Sequence, residues 1–223
     1  MASVQPIVSR ARSDAQKAER RRSILEAADT HFQQVGFEAF SMAKVGRLAG
    51  VAKGTLYLYF STREAVLLAL FGEKLTSWVN GVCTHLDASE GERISDEVFV
   101  RAVFLEAHRD PALIRLMARL DSVIEHNVSL EALIAAKRHM AAELARLGAK
   151  AAPALSLTPA QVQETLAAFG ALLLGVGQLD HGPELDDAVL PEDVRQFRTF
   201  YSPESLFLTN AGRILTGIRQ GPG

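Results

Sequence analysis

The stretch Gly50-Val51-Ala52-Lys53-Gly54-Thr55-Leu56-Tyr57-Leu58-Tyr59-Phe60 constrains this chain more than any other, because it reads as a short helix whose two faces have opposite needs. Leu56 and Phe60 are four apart on one apolar stripe, whereas Lys53, Thr55, Tyr57 and Tyr59 fall mostly off it and are free to face a partner. The residues before it place Val45, Leu48 and Ala49 on a second short helix, and Gly50 follows where a left-handed residue ends that helix. Two short helices meeting at a glycine turn make a helix-turn-helix, and the second helix has the division of labour that reading a DNA groove requires.

The segments Gly50-Val51, Lys53-Gly54-Thr55-Leu56-Tyr57 and Tyr59-Phe60, followed by Arg63-Glu64, resemble the signature of the TetR family of bacterial transcriptional repressors. The likeness extends back through Ile24-Leu25-Glu26-Ala27-Ala28, Phe32, Gly36-Phe37 and Val45. Farther on, the segment from His108-Arg109-Asp110-Pro111 to Glu125-His126-Asn127-Val128-Ser129-Leu130-Glu131 is similar to one subgroup of the family's C-terminal domains.

The resemblance implies an all-α fold in two parts. Residues 1–61 form a three-helix, helix-turn-helix DNA-binding domain with a basic N-terminal arm, and residues 62–223 form a larger helical effector-binding and dimerisation domain. It also implies site roles. Lys53, Tyr57 and Thr55 read or flank base edges, Gly54 lets the helix backbone approach the duplex, and Ser41, Tyr59 and Arg63 grip phosphates. Two positions depart from the family's pattern: Ala52 stands where a Ser or Thr cap is common, and Leu58 brings an apolar side chain to the DNA-facing surface, where it suits a thymine methyl.

Overall the chain has 24 basic and 26 acidic residues, a balance that favours no partner. The distribution is uneven. Residues 1–60 hold nine Lys/Arg against five Asp/Glu, a net of +4, which leaves 15 against 21, or −6, for the remainder. A basic DNA-facing end on an acidic body is the expected consequence. Residues 1 to 17, with Arg10, Arg12 and Lys17 among small polar residues, show little apolar period and read as a loose arm able to brush phosphates or enter a minor groove. Ile24, Ala28, Phe32 and Val35 then define the apolar face of a first helix that Gly36 ends, and Ser41 is placed to cap the next.

Beyond Phe60, Ser61-Thr62-Arg63-Glu64 reads as a capping box that launches a long helix to about His85, through Ala65, Leu68, Phe71, Leu75, Trp78 and Val82. After a polar break over residues 87–93 comes a helix through Val98, Phe99, Ala102, Val103 and Leu105. Helix starts follow at Asp110-Pro111, Ser129 and Thr158-Pro159, with the Ser129 helix ending near Gly148. A small, largely apolar effector is expected among these helices, walled by Phe99, Val103, Leu113, Met117, Leu120, Met140 and Phe169.

From Leu166 to Leu179 there is no charge on any face, so that helix must be covered all round. Its small residues Ala168 and Ala171, with Leu172 and Gly175, suit a partner helix at close range. After an acidic connection over residues 182–203, Phe207, Ala211, Ile214, Leu215 and Ile218 form one face of the last helix. Together they read as half of a four-helix homodimer interface, which the resemblance also implies.

The alternative is an apolar-ligand carrier or enzyme with a vestigial DNA-binding segment, and no paired nucleophile and base supports it. A single cysteine, Cys83, rules out an internal disulfide framework and suits a reducing cytoplasm. No signal-peptide core or spanning apolar run is evident, so a cytoplasmic protein without a membrane partner is expected. Asp121, Glu125 and His126 make the densest polar set; a solvated helix end is the expected reading, with no metal and no cofactor. The expected function is a ligand-responsive repressor, released by its effector from a palindromic double-stranded operator.

Overall fold

A computed structural model describes residues 5–88, 93–179 and 189–221 of the chain, with side chains from Asp14 onward. Among the described residues every regular element is helical. From Ile7 to Val35 there is no glycine or proline, and strong helix formers dominate. α1 accordingly runs Gln5–Val35, so residues 5–17, expected as a loose arm, are instead its first turns. Pro6 sits in the first turn, where no amide is needed. Gly36, at φ +69°, closes the helix and returns its N–H to Phe32 O at 2.8 Å.

α2 (Met42–Leu48) and α3 (Lys53–Tyr59) meet at Gly50, φ +63°, and the Val51 N–H donates to Gly46 O at 2.9 Å. Ile24, Ala28, Phe32, Phe40, Val45, Leu56 and Phe60 are all buried beneath the three helices. Leu48 is not: it is half exposed, one position beyond the stripe that Val45 occupies.

α4 (Arg63–Asp87) is capped by Thr62 rather than Ser61. Phe60 is buried in extended geometry, φ −141°, so the chain needs Ser61 as a spacer before it can coil again. Thr62 Oγ1 accepts from the Ala65 N–H at 3.0 Å and donates to Asn127 O at 3.1 Å, while Glu64 pairs with Arg63 at 3.0 Å. The expected stripe Leu68, Phe71, Leu75, Trp78 and Val82 is buried.

Around α4 pack α5 (Asp96–Arg109), α6 (Pro111–Arg119) and α7 (Leu130–Leu155), with a π turn (Leu120–Ile124) and a 3-10 turn (Glu125–Asn127) before α7. α8 (Pro159–Gly177) and α10 (Pro203–Gln220) lie together, α10 also against α5 and α8 also against α6 and α7. Asp110, Ser129 and Thr158 cap as expected, and the Thr158 N–H donates in return to Gln161 Oε1 at 2.9 Å. On α5, Phe99, Ala102 and Val103 are buried but Val98 and Leu105 are exposed.

Two expectations fail here. α7 does not end at Gly148: one interior glycine costs only about 1 kcal/mol, and the buried Leu147, Ala151 and Leu155 carry the helix to Ser156, whose φ of 52° stops it. The expected connection over residues 182–203 contains α9 (Glu192–Phe200), stabilised by Glu192 bonds to Arg195 at 2.5 Å and Gln196 at 2.9 Å. The rest of that connection to residue 188, and residues 89–92 of the polar break, lie outside the described residues.

The α1–α3 unit is tied to the body at both ends of α6. Lys74 Nζ of α4, buried, lies 2.5 Å from Asp29 Oδ2 of α1 and 2.6 Å from Asp110 Oδ2 at the start of α6. At the other end of α6, Arg119 donates to Glu38 Oε1 at 3.1 Å and lies over the Phe37 ring. The Thr62 bond to Asn127, within the body, fixes the start of α4 just beyond α3. The sequence carried one signal for the first tie: Lys74 interrupts the apolar stripe between Leu70 or Phe71 and Trp78.

Candidate nucleic-acid interface

The α3 helix sorts its side chains as its periodicity requires. Leu56 and Phe60 are buried, whereas Lys53, Gly54, Tyr57 and Leu58, at helical spacings of one, four and five, share an exposed outer face. Leu58 is 86% exposed and Tyr57 43%, and Lys53 Nζ lies 5.9 Å from the Tyr57 ring centroid. No internal packing requires Gly54 to lack a side chain, since a Cβ there meets nothing within 4 Å. Ala52 occupies the N-cap and leaves the first turn's amides without a side-chain acceptor.

The flanking residues are held in different ways. Ser41 stands at the N-cap of α2 but its hydroxyl makes no capping bond; its N–H instead donates to His31 Nε2 at 3.2 Å. Thr55 and Tyr59 are half buried, and Tyr59 has no hydrogen bond to its phenol among the described residues. Arg63 is half buried, pairs with Glu64, and lies 4.8 Å from the Phe37 ring centroid, so much of its side chain serves the headpiece itself.

His31 is the one buried histidine of this unit. Because Nε2 accepts from Ser41, the ring is neutral with its proton on Nδ1, and Nδ1 has no partner. Burial first, then the nearby Lys44 and Arg47, lower its pKa below the ordinary 6.5. A lowered histidine pKa means the unfolded chain binds more protons, so the contribution is complete above pH 6.5 and is lost as pH falls through the depressed folded value. Thermal melts between pH about 7.5 and about 5.5 should therefore show an acid-side loss of stability that His31→Asn reduces. Equal pH slopes in the two proteins would contradict this.

The seven residues expected to wall an effector pocket differ in their surroundings. Phe99, Val103, Leu113, Leu120 and Phe169 are buried core, with the Phe99 and Phe169 rings 6.1 Å apart, and Met117 packs against that core. Met140 lines a groove of about 760 Å³ between α4 and α7 that reaches Tyr59, Phe60 and Ser61. Its apolar floor includes Leu68, Phe71 and Ala136, and Glu73, Thr76 and His139 are among its polar groups.

The expected dimer residues also separate. Phe207, Ala211 and Leu215 are wholly buried within the single chain against α5 and α8, so they are core rather than interface. The reason is phase: these three recur at every fourth position, and Ile214 and Ile218 stand one step round the helix, half exposed. On α8, which packs against α10, Ala171 and Gly175 are exposed and Ala168 and Leu172 half buried, an open strip. Asp121 and Glu125 answer Lys137, whose Nζ is 2.6 Å from Glu125 Oε1, and among the described residues no cluster suits a metal ion. Cys83 is buried and burial raises its thiol pKa, which keeps it protonated.

The sequence of the C-terminal portion matches the family model described as tetracyclin repressor-like, C-terminal domain, over residues 72–222, and residues 24–70 match that of bacterial regulatory proteins, tetR family. The chain belongs to the TetR family. Among relatives, the fatty acid metabolism regulator protein of Bacillus subtilis (strain 168) is 36% identical over 64 residues, 29% of this chain and 33% of that one. The HTH-type transcriptional activator FasR of Mycolicibacterium smegmatis is 31% identical over 117 residues, 52% of this chain and 53% of that one. The chain thus spans about a third to a half of the curated relatives it matches. The TetR fold itself extends further: the multidrug binding protein EbrR, solved with imidazole, aligns over 89% of this chain and 94% of its own at TM-score 0.59 and 20% identity. Among the described residues no helix is long and apolar enough to cross a membrane.

Proposed function

We propose that this TetR-family chain is a cytoplasmic, ligand-responsive transcriptional regulator that binds a palindromic double-stranded DNA operator as a homodimer and represses until an effector releases it. The observation that carries the reading is the outer face of α3, where Lys53, Tyr57 and Leu58 stand exposed over a helix anchored by Leu56 and Phe60. A major groove accepts such a helix, with Lys53 and Tyr57 at base edges, Thr55 beside them and Leu58 toward a thymine methyl. Gly54 permits the close approach, and Ser41, Tyr59 and Arg63 serve phosphates. Residues 1–61 act as the DNA-binding unit and residues 62–223 as the effector and dimer unit; separate family matches over residues 24–70 and 72–222 support a two-part chain.

The open strip of Ala168, Ala171, Leu172 and Gly175 with Ile214 and Ile218 supports a two-fold helix-pair interface. The groove between α4 and α7 offers the effector an apolar floor beside the α3–α4 junction. A ligand there that favours another headpiece setting would take the two α3 helices away from the spacing of about 34–36 Å that successive major grooves demand.

Sequence selection on random duplexes followed by gel shift with the purified dimer tests the reading. Lys53→Ala and Tyr57→Phe should each weaken operator binding by about 1–3 kcal/mol per base contact, with dimerisation and helicity intact. Undiminished affinity in both would sink the assignment of this face.

A further inference from the structure

Because α1 is already helical at residues 16–23, its exposed turns there form a cleft with the end of the recognition helix. The cleft, of about 680 Å³, is lined by Gln16, Lys17, Glu19, Arg20 and Ser23 of α1 and by Tyr59 at the end of α3. Its charges are not equivalent. Glu19 is balanced by Arg22, whose Nη1 lies 2.8 Å from its carboxylate, and Arg21 lies 5.2 Å from the Phe60 ring centroid. Lys17 and Arg20 have no ion-pair partner among the described residues, and the Tyr59 phenol has no hydrogen bond. Two unpaired cations, a serine hydroxyl and a free phenol thus converge at the C-terminal end of the helix that carries Lys53 and Tyr57.

We infer that this cleft seats one phosphate of the DNA backbone at the edge of each half-site, held by Lys17, Arg20 and Tyr59. The inference rests on the DNA-binding reading and extends it to a contact that fixes register without reading sequence. A helical α1 explains why the contact lies on the duplex flank: a helix about 10 Å across is too wide for a minor groove of about 6 Å, but it can hold two basic side chains one turn apart along a backbone. Glu19 stays compatible because its charge is already answered.

The test uses the full-length protein and a labelled operator duplex, with affinity read by anisotropy across a salt series. Lys17→Gln with Arg20→Gln should flatten the slope of log K against log salt by about 1.8 for the dimer, about 0.9 for the neutralised phosphate lost at each half-site. The accompanying weakening should be equal on operator and scrambled duplex, and circular dichroism should be unchanged. Tyr59→Phe should weaken binding several-fold with no change of slope, because a phenol releases no counterion. In a scan of neutral methylphosphonates, one flanking position per half-site should weaken the wild type and leave the double variant unaffected.

An unaltered slope in the double variant, or a loss confined to the operator sequence, overturns the proposal. Competition by inorganic phosphate beyond that of chloride at equal ionic strength would make the cleft a free-anion site and overturn it too. Wild-type protein that binds no duplex at all would instead overturn the DNA-binding reading, and this contact with it.

Discussion

Truncating Phe207 to Ala should cost about 3–5 kcal/mol of folding stability, one of the largest effects available in this chain. The ring is wholly buried and meets Phe104 at 5.4 Å and Phe169 at 5.7 Å between centroids, at the meeting of α5, α8 and α10. Removing it opens a cavity among rigid aromatic walls that have few ways to collapse. Gly175→Leu provides the contrast. A Cβ at Gly175 meets nothing within its own chain, so the larger residue should leave the monomer fold intact and weaken self-association. Denaturant melts and sedimentation on both variants separate the cases. A Phe207→Ala protein that keeps its stability but falls to monomer would return Phe207 to the interface and reverse the assignment made from its burial.

Lys74→Ala should be nearly as costly, about 3 kcal/mol, because it strands two partly buried carboxylates with no cation. Burial would lower the lysine's pKa, but hydrogen bonds and charge from Asp110 and Asp29 raise it above the ordinary 10.5. The sign is that of a cation stabilised on folding: the contribution is complete below the ordinary lysine value and is lost as pH rises through the raised folded one. Neutralising the whole cluster, with Lys74→Met, Asp29→Asn and Asp110→Asn together, should recover most of the loss, since Asn still caps α6. Equilibrium urea melts of the single and triple variants check this. A single variant as stable as wild type would show that the tie between α1, α4 and α6 contributes nothing.

Much of this protein was determined by local sequence. Gly36 and Gly50 at positive φ, the Asp110, Ser129 and Thr158 caps and the stripe from Leu68 to Val82 depend on residues within a turn or two of one another, so each is legible without the rest of the chain. The same holds for α3, whose inner and outer faces follow from a spacing of four. Residues 5–17 show little apolar period and α9 buries no residue, and both are helical all the same, because charged and small residues have high enough helix propensity to form helix without such support.

Only tertiary structure could decide the rest, because burial depends on what lies across from a helix. Periodicity puts Phe207, Ala211 and Ile214 on one broad apolar face of α10, but the position of α5 and α8 makes the first two core and leaves Ile214 at the open edge. It is likewise packing that brings the Phe99 and Phe169 rings together and leaves a groove beside Met140. The meeting of Asp29, Lys74 and Asp110, and of Lys17 and Arg20 with Tyr59, joins residues tens of positions apart in the chain, and no local pattern encodes such a distance.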